Sequence, residues 1–162
     1  MTTLKNGKNE RRKYERFDTE IKIYFRVTYD IQTIVKFQVV DKQKDQASSR
    51  KYSALSKNVS VEGLAFVSGK ELQKGDRLYL EVYLPGQKDP VEMNGEVCWS
   101  KVLPSGAKNK RQFETGVQLI TVDGKSVAGT IHYDEAYKIV WSAALESILG
   151  NFRIFMQKKR VR

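Results

Sequence analysis

The segment Arg77-Leu78-Tyr79-Leu80-Glu81-Val82-Tyr83-Leu84-Pro85-Gly86 decides the fold class. Leu78, Leu80, Val82 and Leu84 fall on one face and Arg77, Tyr79, Glu81 and Tyr83 on the other, the period-two pattern of a strand with one buried and one wet side. Pro85-Gly86 then supplies a turn, because proline presets φ and glycine tolerates the left-handed conformation. The same pattern recurs in both directions. Upstream, Ile21, Ile23, Phe25, Val27 and Tyr29 alternate with Lys22, Tyr24, Arg26 and Thr28. Thr33–Val40 is rich in β-branched and aromatic residues and is expected to pair with that first strand across a short Asp30-Ile31 connection. A polar, lysine-rich loop fills 41–51, and shorter strands are expected at 52–57 and 63–68. Downstream, a strand runs from Val91 to Val102, and Phe113, Thr115, Val117 and Leu119 alternate again. Six or seven short strands separated by turn signals predict a mainly β protein, a closed antiparallel barrel or a sandwich.

Past Gly129 the spacing changes. Tyr137, Trp141, Ala144, Ile148 and Phe152 recur at helical intervals, which predicts a C-terminal amphipathic helix with Asp134 as N-cap and Gly150-Asn151 as stop or kink. Ile139, Val140, Ala143 and Leu145 widen its apolar surface, so the helix either plugs a barrel end or also serves a homodimer or partner.

The chain has 162 residues, enough for one globular domain with modest extensions. No apolar run approaches membrane-spanning length, and Met1-Thr2-Thr3-Leu4-Lys5-Asn6 has no apolar signal region, so a cytoplasmic protein without an integral membrane segment is expected. A single cysteine, Cys98, and a single histidine, His132, argue against a disulfide framework and against a His/Cys metal cluster. Cys98 beside Trp99 is expected to be a small core or near-core residue, and Gly116 to permit close packing of the last strand. Asp134 and Glu135 suit a helix dipole and need no acid/base role. No catalytic residue, metal ligand or cofactor is assigned, and a non-enzymatic binding protein is expected.

The net charge of +10 is uneven: residues 1–16 carry a surplus of +4 and residues 153–162 one of +5, leaving +1 for everything between. A polymer-binding face would spread its cations over the folded surface. Charge gathered at the chain ends fits a small polyanion held by one arm at least as well.

Two motifs carry the functional reading. Glu10-Arg11-Arg12-Lys13-Tyr14-Glu15-Arg16-Phe17 spaces Arg12 and Arg16 four apart just before the first strand. Asn58-Val59-Ser60-Val61-Glu62-Gly63 is an N-x-S-x-x-G turn leading into Leu64-Ala65-Phe66-Val67. Each alone is weak, since basic stretches contain Arg pairs by chance and Asn, Ser and Gly favour turns for backbone reasons, glycine by supplying positive φ.

In this order and context they resemble the PilZ domain, the bacterial receptor module for cyclic di-GMP. The Gly75-Asp76 turn, the Gly95-Glu96-Val97-Cys98-Trp99 strand and the Thr115-Gly116-Val117-Gln118-Leu119 strand extend the resemblance over about residues 10–122. It implies a six-stranded antiparallel β-barrel, here with an extra hairpin strand and a C-terminal α-helix. The corresponding organisation is a flexible basic arm at 1–17, the barrel at 18–124, and the helix with a basic tail at 125–162. It implies further that Arg12 and Arg16 give bidentate contacts to phosphate oxygens and the O6/N7 edge of guanine, with guanidinium stacking. Asn58 and Ser60 would contact the guanine edge, and Gly63 would keep the turn clear of a side chain. Asn58 stands where many members have Asp, which the family motif permits, and its carbonyl can still accept one bond. Arg11 extends the arm to Arg-Arg-x-x-x-Arg, which the resemblance associates with a stacked ligand dimer.

The implied function is a cyclic di-GMP effector in bacterial second-messenger signalling, regulating motility or biofilm formation. Ligand would order the arm over the barrel and change contact with a downstream protein partner. The 41 residues between Arg16 and Asn58 exceed the family's usual stretch, and the excess is assigned to Thr33–Val40 and its loop. That excess either stabilises the barrel or offers a partner-binding edge, with Lys42, Lys44, Arg50 and Lys51 as edge protection. Two rivals remain: a degenerate PilZ-type adaptor that works without ligand, and a barrel binding single-stranded nucleic acid through aromatics such as Tyr24 and Tyr83.

Overall fold

The computed structural model describes residues 27–104, 110–136 and 138–150. Six strands close an antiparallel barrel in the spatial order β2 (Ile34–Asp41), β4 (Tyr52–Val59), β5 (Gly63–Ser68), β8 (Gln112–Val122), β7 (Val91–Leu103) and β6 (Arg77–Tyr83), which pairs back onto β2. Short strands sit outside this ring: β1 (Tyr29–Asp30) on β4, β3 (Gln46–Ala47) in a hairpin with the end of β2, and β9 (Lys125–Ser126) on β8. The expected six-stranded antiparallel barrel is therefore present, with extra strands outside the ring.

Alternation sets the wall. In β6, Leu78, Leu80 and Val82 are buried while Arg77, Tyr79, Glu81 and Tyr83 face outward, as the spacing predicts. Val35, Phe37, Val59, Leu64, Phe66, Met93, Val97, Val117 and Leu119 meet them in one core cluster. Phe37 is fully buried in it, 5.3 Å from the ring of Tyr52 and 5.0 Å from that of Phe66.

Thr33–Val40 takes a different place from the expected one. Tyr29 lies opposite Val59 and Ile34 opposite Leu55, so β1 and β2 run successively along the same neighbour, β4, and Asp30-Ile31 is not a hairpin turn. The other edge of β2 pairs with β6, which makes this segment the strand that closes the barrel. The joint between β1 and β2 is pinned by polar groups. Ser56 Oγ accepts from the Thr33 backbone N–H at 2.9 Å and donates to the Ile31 carbonyl, while Thr33 Oγ1 donates to the Tyr83 carbonyl. The Thr33 and Ser56 groups are buried and would otherwise lack partners.

The C-terminal region also departs from expectation. In place of one helix from Asp134, a short helix α1 (Val127–Thr130) is followed by a hairpin of β10 (His132–Asp134) and β11 (Ile139–Trp141), and a second helix, α2, runs through 143–150. Asp134 is no N-cap: its Oδ1 accepts from the Ala136 N–H inside the hairpin turn, which Lys138 helps to close at φ 55°. Ser142 caps α2 instead, its Oγ accepting from the Leu145 N–H at 3.3 Å and its carbonyl from the Glu146 N–H at 2.9 Å. Ala144, Leu145, Ile148 and Leu149 are buried in the same core cluster as the strands, so α2 stoppers the barrel. Phe152 and the basic tail lie outside the described residues.

Candidate functional site

The turn Ser60–Gly63 joins β4 to β5 and is held on three sides. The Ser60 N–H donates to the Gly63 carbonyl at 2.8 Å, and the Leu119 N–H to the Glu62 carbonyl at 2.8 Å. The Ser142 hydroxyl donates to the Val61 carbonyl at 2.6 Å. Val61 sends its side chain into the core. Gly63 is not in the left-handed region, so its reason is close approach rather than positive φ. A Cβ there would stand 3.1 Å from the Val117 carbonyl oxygen and 3.3 Å from Ser60 Oγ.

Asn58, Ser60 and Gly63 line one open depression of about 330 Å³ on the outside of the barrel. The sequence therefore points to three residues that the fold brings together. Arg11, Arg12 and Arg16 lie outside the described residues. Thr28, near the start of the described residues, lines the same depression.

The depression has members that strand alternation does not reveal. Asn58 lies opposite Ala65, Ala65 opposite Gly116, and Gly116 opposite Trp99, a single row across β4, β5, β8 and β7. Ala65 and Gly116 make a low floor, and Trp99 closes the far side. In β7 the pairing slips between Val97 and Trp99, leaving Cys98 as the extra residue of a bulge. Cys98, which follows the inward-facing Val97, is exposed at the depression rather than in the core. Trp99 turns outward with 43% of its surface exposed, its ring lying over Gly116, where a Cβ would meet Cε2 at 2.2 Å. The tryptophan needs the glycine: Gly116 makes room for an aromatic plate, which is the close packing it was expected to allow.

Charge beside the site is organised around Glu114, a buried carboxylate on β8. Lys57 Nζ is 3.1 Å from Glu114 Oε1 and Lys101 Nζ 3.8 Å from the same oxygen. The Lys101 ammonium also lies 5.7 Å from the Trp99 ring centroid, a cation–π distance. Beyond Lys57 a larger groove of about 1030 Å³ continues on the same outer face, bordered by Ile34, Lys36, Leu55 and Val67, and it contains none of the motif residues. Tyr79, on the opposite part of the wall, has its phenol pushed up to about 12 by desolvation and then by its hydrogen bond to Glu92. Among the described residues no group of His, Cys, Asp and Glu is arranged to hold a metal ion.

The site is thus an N-x-S-x-x-G turn beside an outward depression on a six-stranded antiparallel β-barrel. The PilZ domain model matches residues 10–133, and the chain belongs to that family. Among solved structures it is similar to the Bacillus subtilis inhibitor of motility, MotI/DgrA, at 20% identity and a TM-score of 0.46, covering 84% of this chain and 52% of that one. It is also similar to the Borreliella burgdorferi PlzA protein in complex with c-di-GMP, at 6% identity and a TM-score of 0.46, covering 67% of this chain and 49% of that one. The chain thus spans about half the length of each. No curated protein matches its sequence.

Proposed function

We propose that this chain is a receptor for cyclic di-GMP that works by binding, without catalysis, as a cytoplasmic bacterial signalling module. One observation carries the reading: Asn58, Ser60 and Gly63 of the PilZ-type turn share one outward depression, which Thr28 also lines. Asn58 and Ser60 offer an amide and a hydroxyl to the guanine edge. Arg12 and Arg16 supply the charge-assisted bidentate contacts to phosphate and to guanine O6/N7. Binding orders the arm over the dinucleotide, and a downstream protein in a motility or biofilm pathway reads the surface so formed. Ordering about ten residues costs roughly ten kcal/mol or more of backbone entropy, which the arginine contacts have to offset. With Arg11 adding a third guanidinium, the expected occupancy is two stacked ligands per chain.

The adaptor reading draws on the larger groove, where Ile34 and Leu55 are about half exposed beside the site. Ala144, Leu145, Ile148 and Leu149 are already buried against the barrel, so these apolar residues of α2 are not free to serve a homodimer. No helix among the described residues is long and apolar enough to cross a membrane.

Isothermal titration of cyclic di-GMP at physiological salt tests the receptor reading, with Arg16→Ala and Ser60→Ala alongside. Micromolar or tighter binding is expected, weakened by Arg16→Ala by about 2 kcal/mol, the order of a charge-assisted pair. Wild-type protein that releases no heat and shows no thermal shift at millimolar ligand hands the lead to the adaptor. A stoichiometry of one ligand per chain overturns the stacked dimer alone.

A further inference from the structure

We infer that one end of the barrel is a basic face that docks onto an anionic membrane surface, a role independent of cyclic di-GMP. Six antiparallel strands alternate in direction, so the connections 41–51, 69–76 and 103–112 fall at one barrel end. The motif turn, the connection 84–90 and everything after β8 fall at the other. Among the described residues the first end carries eight Lys and Arg against four Asp and Glu, and the second carries six Asp and Glu against three Lys. The near-neutral sum over the middle of the chain therefore hides a charge separation along the barrel. The basic connections form one surface: a Cβ on Gly75 would lie 3.8 Å from Lys42 Nζ, and one on Gly69 3.9 Å from the Arg111 carbonyl oxygen.

The cations of this end are presented rather than paired. Tyr52 stacks on the buried ring of Phe37, while Arg50 and Lys70 stand over it at 5.0 and 5.3 Å from its centroid. Arg111 stands 5.5 Å from the ring centroid of the buried Phe113. The carboxylates nearby are engaged by turn backbone. Asp41 Oδ1 accepts from the Gln43 N–H at 2.9 Å and the Lys44 N–H at 3.4 Å, and Asp76 Oδ2 from the Gln73 N–H at 2.9 Å. Lys42, Lys44, Arg50, Lys70, Lys74 and Arg111 consequently make no ion pair among the described residues. Such a face is recognised by charge alone. Protein interfaces are depleted in lysine and centre on aromatic or aliphatic anchors, whereas the aromatic rings here lie beneath the cations. Tyr52, covered by Phe37 and by the two cations, offers no face for a nucleobase to stack on. Cations spread in two dimensions over three connections match a plane better than the line of contact along a nucleic-acid rod. The fitting partner is a negatively charged lipid headgroup layer, such as the cytoplasmic leaflet, to which each nearby Lys or Arg adds attraction. Asn58, Ser60 and Gly63 sit toward the opposite end, so a docked chain keeps its depression open to solution.

Vesicle co-sedimentation of the full chain at physiological salt, without cyclic di-GMP, tests this. The probe is phosphatidylcholine vesicles in which one lipid in three is phosphatidylglycerol, compared with pure phosphatidylcholine, and wild type should partition onto the anionic vesicles alone. The basic stretches 1–16 and 153–162 are a competing source of attraction, so charge-reversal variants locate the contact. Lys42→Glu/Lys44→Glu/Lys74→Glu alters exposed loop residues and should lower partitioning by about tenfold or more. Arg50→Glu/Lys70→Glu/Arg111→Glu should do the same, and the loop variant keeps the test decisive if this second one fails to fold. Lys88→Glu/Lys125→Glu/Lys138→Glu makes the same change of charge at the opposite end and should stay within about twofold of wild type. Equal losses at the two ends overturn the docking face, because attraction then follows net charge. Wild-type partitioning by the loop variant also overturns it and assigns the attraction to the chain ends. No wild-type partitioning onto anionic vesicles, or equal partitioning onto pure phosphatidylcholine, overturns it too. Duplex DNA bound more tightly than the vesicles, and lost in the loop variant, overturns the lipid partner in favour of a nucleic-acid backbone.

Discussion

Replacing Ser142 by alanine strikes the point where the motif turn meets the C-terminal helix. The hydroxyl is 1% exposed and does two things: it accepts from the Leu145 N–H as N-cap of α2, and it donates to the Val61 carbonyl across 81 positions of sequence. Losing a serine cap costs about 1 kcal/mol. Leaving the buried Val61 carbonyl unpaired costs about 1–3 kcal/mol more, since no water can replace the bond without opening the barrel end. The two together come to about 3 kcal/mol. In a chain of this size each kcal/mol lowers Tm by about 2–4 °C, so a drop of about 6–12 °C is expected by calorimetry or circular dichroism. Ser147→Ala, on the same helix with a partly exposed side chain, is the control and should stay within about 0.5 kcal/mol of wild type. A Ser142→Ala melting point within about 2 °C of wild type would refute the assignment of this hydroxyl as cap and clasp.

Three further outcomes follow from particular contacts. Phe37→Ala empties the centre of the barrel between Tyr52 and Phe66, and urea denaturation should show a loss of about 3–5 kcal/mol. Gly116→Ala drives a methyl into the Trp99 ring; the ring is at the surface and can swing away, so the indole N–H resonance of Trp99 should move while that of Trp141 stays, with ligand binding weakened. The Tyr79 phenol, raised to about 12 from an ordinary 10, ionises later in the folded chain than in the unfolded one. Its contribution is therefore intact below pH 10 and lost as pH rises from about 10 toward 12, which an ultraviolet difference titration comparing wild type with Tyr79→Phe detects as a missing late phase.

The sequence reads well where a strand keeps its period and poorly where it breaks. The alternation in 78–84 and the run from Val91 locate β6 and β7 to within a residue or two, and N-x-S-x-x-G marks the turn that lines the depression. Alternation identifies a strand but not its neighbour, which is why Thr33–Val40 is legible as β-structure yet not as the strand between β4 and β6. A bulge has no signature in the pattern: alternation after Val97 already turns Cys98 outward, and the extra residue then keeps Trp99 on the outer face as well. The apolar residues before Ala144 satisfy a helical spacing, but Ile139-Val140-Trp141 is equally a β-branched and aromatic triplet, and the tertiary fold uses it as β11. Ser142, a standard capping residue directly before an apolar helical stripe, was the available signal for the true start of α2.

The motif turn has two sides, and their stiffness differs in a way that bears on output. Asn58, Ser60 and Gly63 face the depression, whereas the carbonyls of Val61 and Glu62 are bound to Ser142 and Leu119. Transmitting occupancy to α2 by moving the turn would break those two bonds, at about 1–3 kcal/mol for the buried one to Val61, and would pull Val61 out of the core. Ordering the arm on the outer face breaks neither. For the proposed receptor the lower-energy route therefore runs through the new surface of the arm, with the turn and α2 as a fixed anvil against which the ligand is held. Hydrogen exchange at the Leu145 and Glu146 amides should accordingly change little with saturating cyclic di-GMP beyond the global stabilisation that binding confers. Selective deprotection of those two amides on binding would move the output from the arm to the helix.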